Sequence, residues 1–106
     1  MIWNREEARA ALGCDDEFVD ELLELFAAEA PRLLSEAREG FADEDYAKVT
    51  KAAHTLKSNA ALLCARSAQE AALEAEYRSD DEKALEKMES EFAALLRALK
   101  VGSGSA

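Results

Sequence analysis

His54 is the only histidine among 106 residues, and it lies in the stretch A-H-T-L-K-S-N-A-A-L-L-C-A, residues 53–65. A neutral imidazole is a nucleophile near neutral pH, so its neighbours decide which chemistry is open to it. Lys57 at i+3 and Ser58 at i+4 share a helix face with it, and Lys51 at i−3 adds a second cation to the same ridge. Ala53, Leu56, Ala60 and Leu63 fall on a different face, with the spacing of an amphipathic helix. Ammonium groups beside the ring favour an anion placed on it, more strongly where the contact is partly desolvated. Taken alone, a helical histidine is more often a solvated or structural side chain than a functional one.

Competing chemistries fit poorly. One histidine and serines that lie within or beside helices, without a G-x-S-x-G turn, argue against a hydrolytic triad. Four glycines, two of them in the last five residues, supply no phosphate-binding loop. Cys14 and Cys64 stand fifty positions apart, and one histidine cannot complete a four-ligand zinc site with them, so no metal is expected. The acidic pairs Glu6-Glu7, Asp15-Asp16 and Asp80-Asp81 sit at expected helix starts, where they suit the helix dipole. What remains is an imidazole that accepts a group from one partner and gives it to another.

The elements that must hold this residue are helical. Ala, Leu, Glu, Lys and Arg dominate, β-branched residues are few, and neither Gly nor Pro occurs from Phe41 to Val101. Apolar residues make up 49% of the chain, enough for one modest core. A net charge of −10 argues against nucleic acid or an anionic membrane as partner. Met1 is followed by Trp3, Asn4 and alternating charges, and no apolar run approaches a bilayer span, so a cytoplasmic protein is expected.

Asn4 caps a short helix that stops at Gly13, with Trp3 and Leu12 able to cover one end of the domain. A second helix runs from Asp15 or Asp16 to about Glu39 with Gly40 as its stop, and Phe18, Leu22, Leu25, Phe26, Ala30, Leu33 and Ala37 form its apolar stripe. The stripe continues across Pro31, which favours one helix, kinked near Ala27 to Pro31, over two. Residues 41–45 read as an acidic loop, with Asp43 capping a third helix from about Glu44 to Cys64. A fourth, alanine-rich helix spans about Ala65 to Arg78, and a fifth carries Leu85, Met88, Phe92, Leu95 and Leu99 on one side. Short connections between long amphipathic helices predict an all-α, antiparallel four-helix bundle with a short additional N-terminal helix. Residues 1–101 form this domain, and 102–106 are a flexible Gly/Ser tail of linker type.

The stretch A-A-H-T-L-K-S-N-A, residues 52–60, resembles the A-H-x-L-K-[GS] pattern of histidine-containing phosphotransfer (HPt) domains of multistep phosphorelays. Residues 26–34, F-A-A-E-A-P-R-L-L, are similar to that family's F-x-x-x-x-P-x-x-L stretch, and Asp45-Tyr46 falls where the family often has Asp and an aromatic residue. The resemblance covers about residues 3–100. It implies that His54 is phosphorylated on Nε2, that Lys57 stabilises the phosphoryl group, and that Glu76 on the next helix hydrogen-bonds Nδ1. Such a bond holds the tautomer whose Nε2 lone pair is free. By the same resemblance Lys51, Lys57, Ser58 and Ala61 belong to the surface met by the partner, and small Ser58 lets that partner come close.

The implied partners are receiver domains of response regulators or hybrid sensor kinases, met by a monomer without kinase activity or a cofactor of its own. Mg2+ is expected on the receiver. Two neighbouring readings are a binding-only adaptor whose histidine is unused and the phosphoacceptor domain of a chemotaxis-type kinase. The chain departs from the family pattern where Cys64 replaces a frequent Gly at the end of the histidine helix, and where Ala68 and Ala75 replace Leu. A Cβ at position 64 disfavours a positive φ at that corner, and the alanines predict a thinner core under the fourth helix.

Overall fold

The computed structural model describes residues 3–102, and every element in it is a helix: α1 Arg5–Leu12, α2 Asp16–Ala42, α3 Tyr46–Leu62, α4 Arg66–Tyr77 and α5 Glu82–Gly102. Side-chain caps mark the N-termini of all the helices except α4, which follows Ala65. Asn4 accepts from the Glu7 amide at 3.0 Å and Asp15 from the Phe18 amide at 3.0 Å. Before α5, Asp81 accepts from the Lys83 amide at 2.9 Å. Gly13, at φ 64°, ends α1 in the left-handed conformation that glycine adopts without a Cβ clash.

Each long helix packs on the next, and α5 closes back onto α2, giving a four-helix bundle with α1 laid against α2. Its core combines Leu23, Phe26 and Leu33 of α2 and Leu56 of α3 with Leu85, Met88, Phe92, Leu95 and Leu99 of α5. The α5 stripe is buried as the periodicity requires. Phe26 and Phe92 meet across the bundle with ring centroids 6.1 Å apart. Trp3 is buried at one end, where its indole N–H donates to the Leu63 carbonyl at 2.9 Å, while Leu12 is half-buried.

Three local expectations are corrected. First, Gly40 does not stop α2, which continues through Pro31 to Ala42. Gly40 is instead a point of close approach: a Cβ there would lie 2.9 Å from both the Asp45 carbonyl oxygen and Lys48 Cβ. Second, the loop is shorter than residues 41–45 and Asp43 is not the cap. Glu44 takes the left-handed turn at φ 57°, Asp45 accepts from the Lys48 amide at 3.3 Å, and α3 starts at Tyr46 and ends at Leu62 rather than Cys64. Third, the first half of the α2 stripe is displaced by one residue. Val19 and Leu23 are buried, whereas Phe18 and Leu25 are exposed, Leu25 at 67%. The buried series 19, 23, 26, 30, 33, 37 keeps a strict alternation of four and three, which the series beginning at 18 breaks.

Cys64 adopts φ 58°, so the corner between α3 and α4 turns left-handed although its residue carries a Cβ. Ala68, Ala71, Ala72 and Ala75 are all buried on α4, which lets that helix lie close to its neighbours. The tail residues from 103 onward lie outside the described residues.

Candidate functional site

Helix α3 sets the direction of His54. Val49, Ala52, Ala53, Leu56 and Ala60 are buried, so the ring between those positions must point away from the core, and its side chain is 60% exposed. Glu76 reaches it from the last turn of α4. Ala75 and Ala72 are buried beneath that turn, and their small size brings the α4 backbone near enough for a glutamate to span the gap. The Thr50 hydroxyl and the Glu76 carbonyl oxygen, 3.5 Å apart, add a weak tie between the two helices.

His54, Lys57 and Glu76 converge. His54 Nδ1 lies 2.8 Å from Glu76 Oε2, and Lys57 Nζ donates to Glu76 Oε1 at 2.6 Å. The Lys57 hydrogen bond, with a smaller contribution from His54, holds the Glu76 carboxyl below the usual carboxylate range, against the opposing effect of burial. An ionised carboxylate only accepts, so Nδ1 must carry the proton and donate it. In the neutral ring the lone pair then resides on Nε2, the nitrogen away from Glu76.

Ser58 lies one turn beyond His54, exposed, its hydroxyl donating to the His54 carbonyl at 3.2 Å. Ala61 follows on the same side, also exposed. Lys51 is exposed on the opposite side of His54 and has no ion-pair partner among the described residues. Alone among the helices, α3 contains no acidic residue, in a chain whose net charge is −10. The cations beside His54 thus form a local positive ridge on an acidic molecule.

One part of this face was misplaced by reading the sequence. Leu22, Leu25 and Leu62, together with Glu29 and Asn59, line a shallow apolar groove between α2 and α3. The sequence pattern places Leu22 and Leu25 in the apolar stripe of α2. The available signal was that α2 carries two adjacent apolar ridges, 18-22-25 and 19-23-26, where one is enough to face a core. Asn59 donates to Glu29 at 3.2 Å, linking α3 to α2 beside the groove.

With this geometry in view, residues 21–101 match the Hpt domain family, and the chain belongs to it. Members of this family are histidine phosphotransfer carriers, not enzymes, and work with receiver domains of phosphorelays. No curated protein and no solved structure shows a significant match to the chain. Among the described residues no helix is long and apolar enough to cross a membrane.

Proposed function

We infer that this domain is a phosphorelay intermediate that takes a phosphoryl group from a receiver aspartate onto His54 Nε2 and passes it to a second receiver. The observation that carries this reading is the 2.8 Å contact of His54 Nδ1 with Glu76, which leaves the Nε2 lone pair outward on an exposed ring. In the forward step Nε2 forms a bond to phosphorus while the acyl-phosphate P–O bond breaks. Its electron pair remains on the receiver carboxylate. The Nδ1 proton stays in place, so the ring gains positive charge, which the Glu76 carboxylate balances. Lys57 neutralises the phosphoryl oxygens. Transfer of this kind depends on positioning and charge stabilisation more than on covalent work by the protein, which suits a rigid bundle.

The receiver supplies its own Mg2+ and acidic residues. It docks on the face formed by Lys51, Ser58 and Ala61 and the neighbouring groove of Leu22, Leu25 and Leu62, where apolar contact supplies affinity and the ridge of cations faces the receiver's acids. Small side chains at 58 and 61 keep the approach to Nε2 open. The domain acts as a monomer in the cytoplasm.

Incubation with a phosphorylated receiver tests this. Acid-labile, base-stable label should appear on the wild-type domain and be absent from His54→Gln. Label that persists in His54→Gln rules out the assignment. Tight receiver binding without phosphohistidine from any donor would instead identify a binding-only adaptor.

A further inference from the structure

Glu76 is shared between two donors, one on each oxygen. Lys57 is therefore not waiting over Nε2 in the unphosphorylated domain; it is tied to the carboxylate that also holds Nδ1. Before transfer the cluster contains one anion, one cation and a neutral ring. A phosphoryl group brings roughly two negative charges at neutral pH. The ring, keeping its Nδ1 proton, becomes cationic when Nε2 bonds to phosphorus. Afterwards there are two cations and two anionic groups, and the pairing can change.

We propose that the positive charge created on the His54 ring replaces Lys57 as the counter-charge of Glu76, releasing the ammonium group to the phosphoryl oxygens. This rests on the phosphotransfer reading and deepens it: Glu76 is a positioning residue that stores Lys57 until the transfer itself frees it. The lysine is the member suited to move. Its stem is long and flexible, and its side chain is 24% exposed. Glu76 is the more enclosed at 19%, and its carbonyl also faces the Thr50 hydroxyl. While the ring is neutral, the two bonds of Glu76 coexist, one on each oxygen, and the lysine is its only cationic partner. Once the ring is charged, its contact with the carboxylate gains Coulomb attraction between opposite charges, and the carboxylate then stands between two competing cations.

The exchange predicts how Lys57 and Glu76 couple. Lys57→Met, Glu76→Gln and the double variant are compared for the equilibrium share of phosphoryl group on His54 against a receiver aspartate. Lys57→Met lowers that share in the wild-type background. In the Glu76→Gln background the loss is about three- to fivefold larger, because the lysine no longer has to leave a carboxylate to reach the phosphoryl group. Gln keeps a side-chain oxygen able to accept from Nδ1–H, so tautomer control is not the variable. Equal or smaller losses in the Gln background overturn the exchange, since they mean that Lys57 serves both groups at once or never leaves Glu76.

A second readout needs no phosphoryl donor. Followed by carbon-13 NMR of the unphosphorylated domain, the Glu76 carboxyl should titrate at higher pH in Lys57→Met than in wild type. An unchanged titration overturns the tether. If the wild-type domain accepts no phosphoryl group while the Glu76 titration does respond, the phosphotransfer reading fails and the exchange with it, leaving the tether as a structural ion pair.

Discussion

The two flanks of α3 are built in opposite ways. Toward α4, buried alanines close the gap between backbones, and the partly buried Glu76 bridges both His54 and Lys57. Toward α2, leucines stay uncovered around a shallow groove and Lys51 has no ion-pair partner among the described residues. The proposed exchange of a group between His54 and changing partners needs both. One flank has to be rigid so that the tautomer is fixed before a partner arrives, and the other has to be unfinished so that different partners can complete it. The contrast explains why α4 is rich in alanine: larger side chains would add apolar burial but would move the carboxylate away from the ring.

The largest expected effect comes from breaking the closed flank. Ala72 is fully buried, and Ala72→Leu forces the added Cγ and two Cδ atoms into a packed core, at a cost of about 1–3 kcal/mol. Because α4 has to shift, the nitrogen-15 signature of the Nδ1-protonated tautomer should weaken together with the denaturant midpoint. A variant that loses stability but keeps the tautomer unchanged would show that Glu76 does not depend on alanine packing.

The open flank should respond in the reverse sense. Leu25→Asp changes an exposed residue, so stability should move by no more than about 0.5 kcal/mol. Receiver affinity should fall by about tenfold, near 1.4 kcal/mol, because an uncompensated carboxylate replaces apolar contact on the proposed docking face, opposite the receiver's acids. Titration calorimetry against a receiver, with the chemical denaturation curve as control, separates the two. Equal affinity for wild type and variant would remove the α2 side of the groove from the docking surface.

How much of this could be read beforehand follows the same division. The bundle, the α5 stripe and the His54 ridge were legible because each depends on period and composition within a single helix. Glu76 came from family resemblance alone, since nothing in the spacing of residues on α3 points to a carboxylate on a different helix. The α2 stripe failed in its first half because two apolar ridges compete there, and only the packing of α3 and α5 decides which is covered. Gly40 was misread for a related reason. A glycine near a helix end looks like a stop, but here its missing Cβ makes room for the start of α3, and Glu44 takes the left-handed turn instead.

The smallest effect concerns the corner that leads into the closed flank. Cys64 holds φ at 58°, a conformation that costs a residue with a Cβ about 1–2 kcal/mol relative to glycine. Glycine would relieve the clash, although its more flexible unfolded chain returns about 0.5–1 kcal/mol of that gain. The thiol is only half-buried, so little packing is lost with it. Cys64→Gly should therefore stabilise the domain by about 0.5–1 kcal/mol, seen as a higher urea midpoint at unchanged slope. Cys64→Ala keeps the Cβ and should give no gain, which separates backbone relief from removal of the thiol. Phosphotransfer should be the same in both variants, because the corner lies beyond the helix turn that carries His54. A gain in stability accompanied by slower transfer would instead mean that the strained corner helps to press α4, and with it Glu76, toward the ring.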